Sequence, residues 1–395
     1  MRTTEDPVVV LGHARTPVGS FGKSLAGVPA HVLGATAAEA ALERAGVAAE
    51  EVEEWIIGCV GSTGRDAYIS RRVALAAGGT TSSTALTVNR LCGSGMQAIA
   101  LAAAELIIGE SDIVVAGGTE NMSAQPFLDY SARSGWTLGD RTLVDGTSAL
   151  ITDPFDEVPM GVTAENVAEQ YGVTREEQDA YALESQRRAQ AALASGAVAA
   201  EITPVTISGR RGDTVVDTDE HPREVTPEKL AAMRTVFRRE GGTVTAGNAS
   251  GINDAGAAMV LTRASIAKQR GLTPLAELVD VTKVGIDPTV MGYAPKPAIE
   301  RIVTRNGLTT SDLGWIELNE AFAAQVVPIV RDLDLDPALV NPLGGAIAWG
   351  HPIGATGTII SARTLENLRV TGRELGLATM CIGGGQAVAS LWRAL

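Results

Sequence analysis

An internal repeat constrains this chain more than any other feature, because matched halves of mixed helix and strand leave few architectures open. Residues 35–60, ATAAEAALERAGVAAEEVEEWIIGCV, read as an Ala-rich amphipathic helix, an Ala-Gly stop, a short acidic segment and an apolar strand opened by Trp55-Ile56. Residues 296–322, KPAIERIVTRNGLTTSDLGWIELNEAF, follow the same plan, with Asn-Gly as the stop and Trp315-Ile316 opening the strand. A second pair follows. Residues 84–119 and 338–385 each run from a strand ending in Val-Asn, through a Gly-rich turn and a helix, to an apolar strand ending in glycines. Two Gly-rich turns can resemble each other by chance. The shared order of elements points instead to two related α/β halves of βαβαβ type. Between them, residues 121–245 are richer in proline, charged and polar residues and read as an inserted or overlaid subdomain. Its one strong helix is expected over Arg175–Ala194, with Thr174 as cap and Glu177 at the capping-box position. Residues 205–225 read as a hairpin around Gly209–Gly212. The expected division is residues 1–120 with 246–270 as the N-terminal half, 121–245 as the subdomain, and 271–395 as the C-terminal half.

Composition excludes several classes of function. Hydrophobic residues at 45% and charged residues at 20% exclude a disordered chain. A net charge of −14 gives no basic footprint for nucleic acid. The N-terminal Met1 to Val10 lacks the apolar core of a signal peptide, and apolar runs such as Ala98 to Ala104 stop far short of ~18 residues. The expectation is therefore no membrane contact and a cytoplasmic setting. Cys59, Cys92 and Cys381 are too few and too scattered for a disulfide framework or a zinc site.

The chemistry-bearing residues stand on Gly-rich strand ends, where α/β folds gather ligands. In Val88-Asn89-Arg90-Leu91-Cys92-Gly93-Ser94-Gly95, a strand ends and a helix begins at about residue 93. That helix is apolar nearly all round (Ile99, Leu101, Ala103, Leu106, Ile107) and is expected to be buried. Cys92 at its positive end is expected to favour the thiolate, although a buried structural cysteine has the same look. His351 stands among the glycines of Gly344 to Gly357, where the second half matches the Cys92 turn. A neutral imidazole there can take a thiol proton. Cys381 precedes Gly383-Gly384-Gly385, whose bare N–H groups can receive an oxyanion. A phosphate-cradling loop is the other use of three glycines, but the Walker lysine and Rossmann spacing are absent. Asn319, in Asn319-Glu320-Ala321-Phe322, can orient a water or serve as a helix cap. Thiol, imidazole and oxyanion donors together suit acyl transfer through a thioester.

The motifs VNRLCGSG, MGVTAENVA, TAGNASG, NEAFAAQ, GGAIAWGHPIGATG and TMCIGGGQ resemble those of the thiolase family over essentially the whole length. Arg65-Asp66-Ala67-Tyr68, Gly209-Arg210-Arg211-Gly212-Asp213 and Asp217-Thr218-Asp219-Glu220-His221 are most similar to bacterial broad-range β-ketothiolases. The resemblance implies a five-layer αβαβα thiolase fold with the loop subdomain over the active site, and a homodimer or homotetramer. It implies reversible Claisen chemistry on acyl-CoA with CoA as product or substrate, and no metal or prosthetic group. By the same resemblance, Cys92 is the acylated nucleophile and His351 the base that activates it. Cys381 is the acid/base at the second substrate's α-carbon or on departing CoA. Asn319 holds a water that forms one oxyanion hole with His351, and the N–H groups of Cys92 and Gly383 form the other. Ser250, Ala246, Phe322, Met160 and Arg223 match residues along the pantetheine or nucleotide.

Four residues depart from the family pattern: Pro159 before Met160, Ala294, Ala387 and Trp349. They bear on acyl length and turnover. A ketoacyl synthase shares the fold but usually pairs its cysteine with two histidines, or with His and Asn. A non-catalytic thiolase-like subunit would be expected to lack one of Cys92, Asn319, His351 or Cys381, and all four are present.

Overall fold

The computed structural model describes residues 5–135, 137–210 and 212–395. Residues 1–4 of the N-terminal stretch and Arg211 of the Gly209–Asp213 motif lie outside the described residues. The N-terminal half contributes strands β1 (Val8–Arg15), β2 (Glu54–Gly58), β3 (Thr84–Val88), β4 (Ile113–Asn121) and β5 (Asn253–Arg263). The C-terminal half contributes β6 (Ala276–Gly285), β7 (Trp315–Leu318), β8 (Leu375–Ile382) and β9 (Gln386–Ala394). The orders are β3-β2-β4-β5-β1 and β7-β8-β9-β6. In the first, β3, β2 and β4 are parallel and the rest antiparallel; in the second, β7 and β8 are parallel. The halves join where Val9 and Val10 meet Glu277 and Ala276.

The repeat predicts a strand at Val340-Asn341 to match β3. Only Val340 pairs, through one parallel bridge to Ile316. Asn341 has φ 46°, which turns the chain away. Its side-chain amide continues the ladder instead. Oδ1 accepts from Leu318 N and Nδ2 donates to Leu318 O, each at 2.8 Å. Both backbone groups of the strand end before Asn319 are thereby satisfied.

Alternation within each strand builds the layers. Trp55 and Ile57 pack with Val9 and the alanines of α1 (Ala30–Ala45) on one outer face. Ile56 points the other way, to the middle layer, where Ile99 and Ala103 of α2 (Ser94–Ile108) meet Leu365 of α7 (Ile353–Thr371). On the far face, Ile299 and Ile302 of α5 (Pro295–Arg305) cover Ile316, Leu377 and Leu391. The result is αβαβα. The central helices meet through glycine: a Cβ on Gly95 would run into the Gly354 carbonyl, and one on Gly357 into the Met96 backbone.

The premise that apolar runs stop far short of ~18 residues needs correction. The 18-residue window Leu91–Ile108 has a mean hydropathy of 1.6, long and apolar enough by composition to span a bilayer. Its apolarity reflects its place between the two halves of the sheet, where Ile99, Ala102, Ala103 and Leu106 are fully buried. Ile107 and Ile108, at its far end, are exposed.

Residues 121–245 include α3 (Met160–Tyr171), α4 (Arg175–Ser195) and a hairpin of Val205–Ile207 with Thr214–Val216. Thr174 Oγ1 accepts from Glu177 N at 3.2 Å and Glu177 Oε2 from Thr174 N at 2.8 Å, so the capping box forms as read. Buried ion pairs tie this segment to the core. Arg15 grips both oxygens of Asp219 at 2.7 and 2.9 Å and reaches Glu201 at 2.9 Å. Arg363 of α7 binds Glu201 at 3.1 Å. Burial alone would raise the Glu201 carboxyl, but Arg363 and Arg15 hold it down to about 2. Its contribution is thus complete above the unfolded carboxyl pKa and lost as pH falls toward 2. Glu201→Ala leaves two buried guanidinium groups short of a partner and is expected to destabilise by about 3–5 kcal/mol. Urea unfolding at neutral pH checks this; a change under about 1 kcal/mol would contradict it.

Candidate active site

The Cys92 turn is built by its own neighbours. Leu91 adopts φ 47°, a conformation that costs a leucine and that clusters at functional sites. Asn89 Oδ1 accepts from Leu91 N at 3.0 Å, and Ser94 Oγ accepts from Arg90 N at 2.9 Å. Ser94 Oγ in turn donates to Leu91 O at 2.6 Å. Cys92 is left partly exposed at the wall of a cavity of about 250 Å³.

The expected thiolate preference does not hold. Burial pushes the Cys92 thiol up to about 11, although the N–H groups of Gly383 and Cys92 itself, aimed at the sulfur, pull the other way. One helix end is worth less than the lost hydration of a thiolate. Cys92 rests as a thiol, so a nucleophilic role for it would require a base nearby.

His351 lines the same cavity with a ring nitrogen of the kind such a base requires. Its Nδ1 lies 2.7 Å from Thr356 Oγ1, which donates to Pro352 O at 3.1 Å. With the threonine proton so used, Oγ1 accepts from Nδ1–H, and Nε2 carries the free lone pair. Nε2 is buried with no hydrogen-bond partner among the described residues. Burial lowers the imidazole to about 4, so it is neutral at physiological pH. Its backbone N–H donates to Asn253 Oδ1 at 2.9 Å, which fixes the loop.

Cys381 ends β8 and lines the same cavity. Burial, then the nearby Cys92 sulfur, push its thiol up to about 12. The Gln325 amide touches it, with Nε2 at 3.3 Å and Oε1 at 3.4 Å. Gly383 also lines the cavity, and Gly384 and Gly385 have φ 80° and 77°, conformations only glycine adopts freely.

Of the other residues singled out in the sequence, Ser250, Ala246, Phe322 and Met160 line the cavity. Arg223 does not. It is exposed, and its guanidinium donates to the Ala246 carbonyl at 2.9 Å, one residue removed from the wall. Asn319 also lies behind the wall. It lines a separate space of about 20 Å³ with Thr356, Glu317 and Arg363. Both polar atoms of its side-chain amide are buried without a partner among the described residues, a donor and an acceptor of the kind a solvent molecule can satisfy. Among the four departures, Pro159 alone lines the cavity. Trp349 faces away, stacked on Arg363 at 5.2 Å and packed against Ala189, Ala192 and Val198. Ala294 and Ala387 are buried in the C-terminal core. These three therefore do not shape the acyl site directly.

The sequence reading missed Thr356, Asn253, Leu91 and Gln325. Thr356 and Gln325 stood inside quoted motifs, five residues after His351 and six after Asn319, but spacing alone does not show what a side chain touches.

Comparison with known proteins agrees with this geometry. The profile "Thiolase, N-terminal domain" matches residues 8–265 and "Thiolase, C-terminal domain" residues 272–394. Beta-ketothiolase BktB of Cupriavidus necator is 49% identical over 388 residues, 98% of each chain. An acetyl-CoA acetyltransferase of Syntrophomonas wolfei is 46% identical over 395 residues, covering 98% of this chain and 99% of that one. The crystal structure of the Bacillus anthracis acetyl-CoA acetyltransferase superposes with a TM-score of 0.97 at 42% identity, covering 99% of both chains. Human mitochondrial 3-ketoacyl-CoA thiolase in complex with CoA gives 0.95 at 39% identity, covering 99% of this chain and 98% of that one. With both domain profiles matched and relatives similar from end to end, the chain belongs to the thiolase family.

Proposed function

We propose that this chain is an acyltransferase that interconverts two acyl-CoA, one of them acetyl-CoA, with 3-ketoacyl-CoA and free CoA. The reaction runs by ping-pong chemistry through an acyl thioester on Cys92. The observation that carries the reading is the convergence of Cys92, Cys381, the unpaired Nε2 of His351 and the Gly383 N–H on one cavity.

Proton bookkeeping then closes. In the first half-reaction, Cys92 Sγ attacks the thioester carbonyl while His351 Nε2 takes the S–H proton. The bond to CoA sulfur breaks, and the Cys381 thiol protonates the leaving thiolate. In the second, the Cys381 thiolate takes a proton from the α-carbon of the next acyl-CoA. The electron pair so freed forms the carbon–carbon bond to the acyl carbon, and Cys92 leaves and regains its proton from His351. The N–H groups at Cys92 and Gly383 receive one oxyanion, and the Nε2–H of protonated His351 receives the other. Ser250, Ala246, Phe322 and Met160 line the pantetheine arm, and Arg223 lies toward the nucleotide phosphates. CoA is substrate here, and no prosthetic group enters. We further propose a cytoplasmic homodimer or homotetramer.

A ketoacyl synthase would present a second histidine, or an asparagine, at the cavity; this one presents Cys381 beside the single histidine His351. The walls are apolar, from Leu91, Met122, Leu150, Ile151, Pro159 and Phe237, a lining that suits an aliphatic acyl chain. CoA-dependent cleavage of acetoacetyl-, 3-ketovaleryl- and 3-ketohexanoyl-CoA is therefore expected. Failure to cleave any of the three would overturn the assignment; cleavage of acetoacetyl-CoA alone would overturn the broad acyl range.

A further inference from the structure

The second cysteine has one side-chain hydrogen-bond partner among the described residues. Cys381 is fully buried, with Met291, Ala321, Met160 and Phe322 packed around it. Against its sulfur lies the amide of Gln325, also fully buried, in the first turn of α6 (Ala323–Asp332).

The orientation of that amide is determined. Nε2 lies 3.1 Å from the Asn319 carbonyl oxygen, an acceptor. A flipped amide would set two acceptors against each other, so the nitrogen belongs there. One Nε2 hydrogen goes to Asn319 O. The second faces Cys381 Sγ at 3.3 Å, while Oε1 lies 3.4 Å from the same sulfur. The amide therefore presents a donor and an acceptor side-on to one sulfur. A cysteine that alternates between thiol and thiolate within each cycle needs both.

We propose, resting on the thiolase reading of the cavity, that Gln325 is a positioning residue for Cys381 in both of its protonation states. Oε1 accepts the S–H of the thiol, and Nε2–H donates to the thiolate left once the proton has gone to CoA. A donor to the charged form favours that form, and in a buried apolar setting its loss is felt fully. The titratable groups facing Cys381 across the cavity are Cys92 and His351. Because Nε2 is also held by the Asn319 backbone, the contact fixes the sulfur relative to the loop that carries Asn319.

Two measurements test this. The first uses unaltered Gln325: the S–H stretch of Cys381, taken as the infrared difference between wild type and Cys381→Ser. A hydrogen-bonded band is expected, moving to the free-thiol position in Gln325→Met. A free-thiol band in the wild type would overturn the proposal, whether or not the variant folds. The second is alkylation of Cys381 by iodoacetamide in a Cys92→Ser background at about pH 9, where the rate follows the thiolate fraction. Gln325→Met should slow it about tenfold, equivalent to about one unit of pKa. Condensation should fall about 10–100-fold in Gln325→Met with Cys92 intact, while an acyl group still accumulates on Cys92. Unchanged alkylation and condensation within twofold of wild type would overturn the proposal. Absence of any acyl group on Cys92 in the wild type would instead defeat the thiolase reading, and the infrared and alkylation results would still stand on their own.

Discussion

Cys92→Ala will lose both half-reactions, whereas Cys381→Ala will still accept an acyl group at Cys92 and lose condensation by about 10²–10⁴-fold. The asymmetry follows from what each sulfur does. Only Cys92 lies under the Gly383 N–H, with the unpaired His351 Nε2 on the same cavity. Only the second half-reaction takes a proton from carbon. That proton is weakly acidic even beside a thioester, so a base and an oxyanion hole must act together. A thiol pushed up to about 12 yields a thiolate basic enough for the task. In the proposed cycle the same thiol also protonates departing CoA, so acylation in Cys381→Ala is expected to be slowed but not abolished. Rapid-quench measurement of acyl-enzyme and of 3-ketoacyl-CoA in each variant separates the two. Condensation by Cys381→Ala at close to the wild-type rate would make Cys381 a structural neighbour of the glycine loop.

His351→Ala is expected to slow acylation by about 10²–10⁴-fold, because the Cys92 thiol, pushed up to about 11, holds its proton at neutral pH. The pH profile adds an independent check. Burial has lowered the imidazole to about 4, so the base is already deprotonated through the neutral range. On its acid side, kcat/KM should stay level down through pH 6 and fall only as pH approaches about 4. An acid limb centred near the ordinary histidine value of about 6.5 would show the imidazole to be solvated, contrary to this structure.

The parts of this molecule legible in its sequence are those written in local pattern. The Trp-Ile strand openings, the helix stops and the Gly-rich turns disclosed two halves, and the same turns placed Cys92 and Cys381 at strand ends, whereas His351 lies in the loop between a short helix, Ala346–Trp349, and α7. What stayed hidden depends on contacts between distant segments. Nothing in VNRLCGSG says how far the surrounding protein shields the Cys92 sulfur from water, so the helix end looked decisive when desolvation outweighs it. Nothing near Val340 says that the Asn341 side chain will take the place of a strand partner for Leu318. Trp349 looked able to crowd an acyl chain because it stands two residues before His351. The turn at Gly350, with φ 95°, sends the two side chains apart. The apolar window Leu91–Ile108 met the composition of a membrane span because its place between the two halves of the sheet demands the same residues.

The central claim is that Cys92 carries the acyl group. Incubation of the wild-type chain with acetyl-CoA, an acid quench and the intact mass, followed by peptide mapping, tests it directly. The account predicts one added acetyl group per chain on the peptide containing Cys92, discharged by CoA and absent from Cys92→Ala. An active enzyme with no added mass, or with the acetyl group on another residue, would contradict it.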